Sequence, residues 1–269
     1  MAHPTDVRGS GVPLLPGVSA LDNAVWAALD GPHAHLADRH GRAARYRPQT
    51  YAFAALADPA DPAAWVDLHT LVGPGTTVRV KPVERVPDGW EVLGEGEGVQ
   101  LVDTALRAEP APEAVRLGPD DVPEILDLVA RTRPGPFLRR TVGMGTYLGI
   151  RHQGRLVAMA GERLRLPGWT EISAVCTDPA HRGRGLATRL VRAVAAGVRD
   201  RGDTPFLHAA AGNTPAIRLY ESLGFTLRRR SRIVQVRSPG TTGAGRALGV
   251  MTRSAGRTPV RPAAADGGR

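Results

Sequence analysis

From Ala114 onward, apolar positions recur at regular spacings that the preceding residues lack. Along Asp120–Arg133 the residues Val122, Ile125, Leu126 and Val129 share one face, the start is acidic and Pro134 stands just past the end. That pattern predicts an amphipathic helix. Val115–Leu117 predicts a short strand before it. Two apolar runs follow, Thr146–Arg151 and Leu156–Leu166, separated by His152–Arg155 with Gly154 in the turn, and they predict a pair of strands. Thr170–Thr177 predicts another strand. Leu186, Leu190, Val194 and Val198 then repeat every four residues, the buried stripe of a long helix reaching to about Arg199. A strand at Phe206–Ala210, a helix at Thr214–Ser222 and a strand at Phe225–Val236 complete the regular part.

Residues 1–112 are irregular, with frequent Pro and Gly. Helices are predicted around Leu21–Leu29 and across Ala63–Leu71. Thr76–Val80, Trp90–Leu93 and Val99–Val102 predict strands from their β-branched and aromatic content. Ala108–Glu113 reads as a linker. Residues 238–269 hold Gly, Pro, Ala, Thr and Arg with almost no large apolar side chains, and are expected to form a disordered basic tail.

Composition changes this picture little. With 42% hydrophobic but only 4% aromatic residues, the core must be built from Leu, Val, Ala and Ile. One cysteine, Cys176, excludes an internal disulfide and fits a reducing, cytoplasmic location. No apolar stretch has membrane-span length, and the N-terminus has no apolar core of signal-peptide length. The net charge is +9, yet of the 35 lysines and arginines only Lys81 is a lysine, a skew that suggests biased composition. Neither Arg228–Arg230 nor the tail carries the aromatic interleaving of a nucleic-acid binder, so neither nucleic acid nor membrane is expected as a partner.

The informative segment is Glu171–Thr188, where a strand runs through a Gly- and Arg-rich loop into a helix. Open N–H groups at a helix start, with the helix dipole behind them, attract anions. Gly183 and Gly185 let the backbone approach a phosphate, and Arg182 and Arg184 add charge. A phosphate-binding P-loop would need Lys and then Ser or Thr after its last glycine, and neither follows here. A dinucleotide fingerprint would need a small residue where Thr188 stands, and would open the domain instead of coming late in it.

Arg182-x-x-Gly185-x-Ala187 matches the R/Q-x-x-G-x-G/A signature of the GCN5-related N-acetyltransferases (GNAT). Asn213-x-x-Ala216-x-x-x-Tyr220-x-x-x-Gly224-Phe225 resembles that family's second cofactor motif. Two motifs in order with a strand between them identify the region as similar to this family. The segment from Gly31 to Leu68 also resembles the front half of two-part proteins with an FR47-like acetyltransferase domain at the C-terminus. The resemblance implies an α/β GNAT fold at 113–237: a mixed, mostly antiparallel sheet with splayed central strands, flanked by helices. It implies a smaller α+β domain at 1–112, a degenerate GNAT-like half without a cofactor site of its own.

The resemblance also implies chemistry. Acetyl-CoA would be the cosubstrate and an amine of a small molecule or amino acid the acceptor, attacking the thioester directly in a ternary complex. Val175, Cys176 and Thr177 would bind the pantetheine arm. Arg182, Gly183, Arg184, Gly185, Leu186, Ala187 and Thr188 would bind the pyrophosphate. Asn213 and Ala216 would contact the arm, and Tyr220 would line it as the acid that protonates the leaving thiolate. Glu171, at a position where several members place a glutamate, would be the general base, with Glu162 and His208 as alternatives. Cys176 lies within an apolar strand and reads as core and not as a nucleophile. His33, His35 and His40 match no zinc signature, and no metal is expected. The alternative to an enzyme is a module that keeps CoA affinity and acts as a sensor.

Overall fold

The structure, a computed structural model, describes residues 18–240. All eleven of the strands described form one sheet. The first half supplies helices α1 (Val18–Asp22) and α2 (Ala24–Asp30), then strands β1 (Ala37–His40), β2 (Ala43–Tyr46) and β3 (Phe53–Leu56). Helix α3 (Pro62–Val72) and strands β4 (Thr77–Val80) and β5 (Glu91–Asp103) follow. The second half supplies β6 (Val115–Leu117), α4 (Val122–Thr132), β7 (Tyr147–His152), β8 (Arg155–Leu166) and β9 (Trp169–Thr177). It ends with α5 (Leu186–Asp200), β10 (Thr204–Ala210), α6 (Thr214–Ser222) and β11 (Phe225–Arg237).

The strand order is β1-β2-β3-β4-β11-β5-β10-β9-β8-β7-β6. Every pairing is antiparallel except β3 with β4 and β9 with β10. Each half therefore runs an antiparallel pair, a crossover helix (α3 or α5) and a parallel strand, and then sends its last strand away. β5 lies between β10 and β11, and β11 lies between β4 and β5. The two halves thus exchange their final strands, and the segment between them separates no independent sheets.

The cores are shared accordingly. Val99, Leu101 and Leu106 of the first half pack with Leu190, Val194, Val198 and Phe225 of the second. Leu21, Val25 and Leu29 pack with Leu164, Trp169 and Phe206. Full burial of one such side chain contributes roughly 1.5–3 kcal/mol, so these contacts across the halves are a large part of what holds the sheet together.

Local sequence explains most helix boundaries. In α3 the Asp61 side chain accepts from the Ala63 N–H at 2.9 Å, Pro62 opens the first turn and Gly73 stops the helix at φ 80°. In α4, Val122, Ile125 and Leu128 are buried, with Leu126 and Val129 partly so. Strands β1, β2 and β3 have no local sequence signature, being four residues each and rich in Ala and Arg. β5 is one strand where two were expected, because Gly94, Gly96 and Gly98 interrupt its apolar pattern. Ser238 is buried and hydrogen-bonded to Gly73 and Thr76, so the ordered chain runs past the expected boundary of the tail. The rest of that tail, from residue 241, lies outside the described residues.

Candidate active site

Strands β9 and β10 pair in parallel only from Trp169–Thr204 to Ile172–Leu207, and then part. The cause is local. Between Ser173 and Cys176, β9 carries one residue more than the stretch Met159–Gly161 of β8 opposite it. The extra residue is absorbed by Ala174, which takes φ 54°, a left-handed conformation unusual for a residue with a Cβ. Past Ile172 the β10-facing edge of β9 has no strand partner, and its backbone groups border a cleft of about 570 Å³. Ile172–Val175 and His208–Ala210 form its walls, with Asn213, Ala216 and Tyr220 from the α6 region. The first half closes the other end with Tyr51, Phe53, Arg79 and Lys81.

β9 leads directly into the Gly–Arg loop. Asp178 accepts from the Ala180 N–H at 2.9 Å and turns the chain, and Arg182–Gly185 are exposed. Gly183 and Gly185 take φ 75° and 70°, conformations that favour glycine, and the space where a Cβ would stand is open at both. No side chain caps the start of α5, so the first N–H groups of this 15-residue helix remain available to an anion. Leu186 is buried in the core, while Ala187 and Thr188 are half-buried on the first turn.

The residues singled out in the sequence separate into two groups. Val175, Asn213, Ala216 and Tyr220 border the cleft. The Asn213 side chain also caps α6, accepting from the Ala216 N–H at 3.3 Å. Thr177 has a buried hydroxyl with no hydrogen-bond partner among the described residues. Cys176 packs its side chain away from the cleft, among Leu117, Ile125, Leu128 and Met159. Burial pushes its thiol up to about 11, which removes the thiolate a nucleophile needs. Burial also pushes the Tyr220 hydroxyl up to about 12, so the phenol stays protonated across the neutral range.

Glu171 is not the solvated carboxylate that its place at a strand start suggests. It is completely buried, and Arg163 Nε and Nη2 donate to its Oε2 and Oε1 at 2.9 and 2.6 Å. His208 Nδ1 lies 2.7 Å from Oε1. Burial would raise its pKa, but the charge and hydrogen bonds of Arg163, joined by His208, hold the carboxyl well below the usual range. Arg163 and His208 thus occupy both carboxylate oxygens, the geometry of a structural ion pair, and leave Glu171 less basic than a free carboxylate. His208 Nε2 is occupied as well, 3.2 Å from Gln100 Nε2, and burial followed by the charge of Lys81 lowers the imidazole to about 4. Glu162 is tied to Arg201 at 2.8 Å and to the Thr146 N–H at 3.3 Å.

Sequence reasoning missed Arg163, Gln100, Tyr51 and Phe53, which no motif marks. Lys81 did carry a signal, as the single lysine, but this was read only as composition. His33 is buried against the Tyr46 hydroxyl at 2.9 Å, and no metal-holding cluster exists among the described residues. The Arg228–Arg230 run serves the fold, with Arg228 and Arg229 on Asp22 and Arg230 on Glu97.

A mixed sheet split between two parallel strands, with an open glycine loop feeding a helix at the split, is an acetyltransferase architecture. The FR47-like protein family matches residues 147–234. A solved structure from Novosphingobium aromaticivorans, assigned to the GNAT family of acetyltransferases, is 40% identical at a TM-score of 0.73. That match covers 82% of this chain and 99% of the relative, and so runs through both halves. This chain belongs to the GNAT family. A GCN5-related N-acetyltransferase from Kribbella flavida shares the fold at 17% identity and a TM-score of 0.57, over 86% of this chain and 99% of its own.

Among curated relatives, the N-alpha-acetyltransferase RimI of Mycobacterium tuberculosis is 40% identical over 90 residues, 31% of this chain and 56% of its own length. The mycothiol acetyltransferase of Thermobispora bispora is 49% identical over 57 residues, 21% of this chain and 19% of its own. The chain therefore spans little more than half of one of these relatives and a fifth of the other.

Proposed function

We propose that the protein transfers an acetyl or short acyl group from acetyl-CoA to an amine of a small molecule or amino acid, by direct attack in a ternary complex. The observation that carries this reading is the unpaired edge of β9 past Ile172 running straight into the open Gly183–Gly185 loop. Pantetheine amides would complete that edge as a missing strand would, at Val175–Thr177. The pyrophosphate would meet the N–H groups of the Gly183–Thr188 segment, with Arg182 and Arg184 alongside.

The cleft holds the acceptor amine in its neutral form, its ammonium proton having passed to solvent. The nitrogen lone pair forms the new C–N bond at the thioester carbonyl. As the C–S bond breaks, Tyr220 gives its hydroxyl proton to the leaving sulfur. The proton shed by the acylated nitrogen restores the phenol through solvent. Glu171 acts as a positioning residue, holding Arg163 and His208 at the cleft wall.

A thiol-release assay with acetyl-CoA and a panel of primary amines tests this reading. Amine-dependent release of CoA, with the acylated amine seen by mass spectrometry, is the expected result. Tight acetyl-CoA binding without turnover of any amine would replace the enzyme by a CoA-sensing module.

A further inference from the structure

Where the first half lines the cleft it places two cations, Arg79 and Lys81, that form no ion pair among the described residues. Arg79 lies at the centre of β4 and Lys81 just beyond its end, two residues apart and so on one face. Lys81 is only 6% exposed and forms no ion pair among the described residues; its ammonium lies 5.4 Å from the centre of the Phe53 ring. Among the described residues Arg79 donates only to the neutral side chain of Gln235, at 3.4 Å. Of the other charged residues that line the cleft, Arg133 is exposed to solvent and the rest are matched. Arg163 holds Glu171, while Glu95 and Glu97 bind Arg232 and Arg230 at the exposed rim.

A buried cation without a counter-ion is costly, and leaving it lowers its affinity for protons. Burial brings Lys81 down to about 8, opposed by the charge of Glu171 and aided to a smaller degree by that of Arg163. Lys81 is the single lysine of the chain, so lysine, a compact charge that can be desolvated, stands only where Tyr51 and Phe53 also line the cleft.

We propose that the acceptor carries a carboxylate on the same small molecule as its amine, and that Lys81 and Arg79 hold that carboxylate at the end of the cleft formed by the first half. This rests on the acetyltransferase reading and deepens it. The same positive field disfavours an ammonium group nearby, so the amine of a molecule anchored by its carboxylate enters in the neutral form that attacks a thioester.

The test is isothermal titration into CoA-saturated protein of N-acetyl-L-amino acids, the matching N-acetyl carboxamides and N-acetylated phosphoethanolamine, with a titration of CoA itself as the first step. Acids should bind at least about tenfold more tightly than their amides, and that preference should vanish in Lys81→Met and weaken in Arg79→Met while CoA affinity persists. Equal binding of acids and amides, no binding of either, a preference for the phosphate, or an acid preference that survives Lys81→Met overturns the proposal and leaves the donor site standing. Loss of CoA binding by the folded wild type would instead strike the acetyltransferase reading, and the same acids and amides titrated into the free protein would still judge the anion site.

Discussion

Arg163 and Glu171 face each other across β8 and β9 as a bidentate pair, two nearly parallel hydrogen bonds of 2.9 and 2.6 Å, with the carboxylate wholly buried. The two strands are not in simple register there. β8 carries one extra residue between Glu162 and Arg165 relative to Ile172 and Thr170 of β9. Arg163 lies in that irregularity, with its guanidinium carbon 4.9 Å from the Tyr51 ring centre. The pair thereby joins β9 of one half to the aromatic wall supplied by the other.

Replacing Glu171 by Gln leaves a buried guanidinium without its counter-ion, and the expected cost is about 3–5 kcal/mol of stability in urea denaturation at pH 7. The pH dependence has a definite sign. The folded pKa of Glu171 is depressed, so its contribution is present above the unfolded value of about 4.3 and is lost as pH falls. His208 is depressed from 6.5 to about 4 and acts in the same direction between those values. Wild-type stability should therefore fall as pH drops from about 6.5, and the Gln variant should fall less below about pH 4.3. Parallel profiles would contradict the account of the pair.

Tyr220→Phe removes the proposed acid without removing the ring from the core. The expected result is a kcat lowered about 100-fold, near the lower end of what general acid catalysis contributes, with acetyl-CoA affinity unchanged by titration. An unchanged kcat would make Tyr220 a packing residue only.

The exchange of β5 and β11 makes a specific claim about domain independence. A fragment covering residues 113–240 lacks β5, which separates β10 from β11 and contributes Val99 and Leu101 to the core around α5. That fragment should be aggregated or unfolded by circular dichroism and size-exclusion chromatography. Adding a second fragment of residues 18–112 should recover folded protein. A stable monomeric 113–240 would show that β11 can close on β10 alone.

How far the sequence revealed this can be judged residue by residue. The Gly183–Gly185 loop and the Asn213–Phe225 segment were legible because turn geometry, helix caps and an anion-ready helix start leave local signatures. The long helix α5 was legible through its four-residue stripe. The environment of Glu171 was not, because its partners Arg163 and His208 lie on neighbouring strands and only the sheet register brings them together. The strand exchange was hidden for the same reason. Nothing local to Glu91–Asp103 says which half it will pair with, and its three glycines mask even its length. The short strands β1 to β3 carry buried Ala in place of the β-branched residues that mark strands, since tertiary packing and not local propensity holds them.

Isothermal titration of acetyl-CoA against the wild type and a Gly185→Glu variant tests the central claim most directly. Gly185 is exposed, faces open space and lies just before α5, so the variant places a carboxylate and a strained φ in the proposed pyrophosphate cradle with little reach into the core. The account predicts tight binding by the wild type and its loss in the variant, with both proteins folded. Equal binding by the two proteins would place the cofactor elsewhere, and no binding by folded wild type would contradict the acetyl-CoA-dependent function.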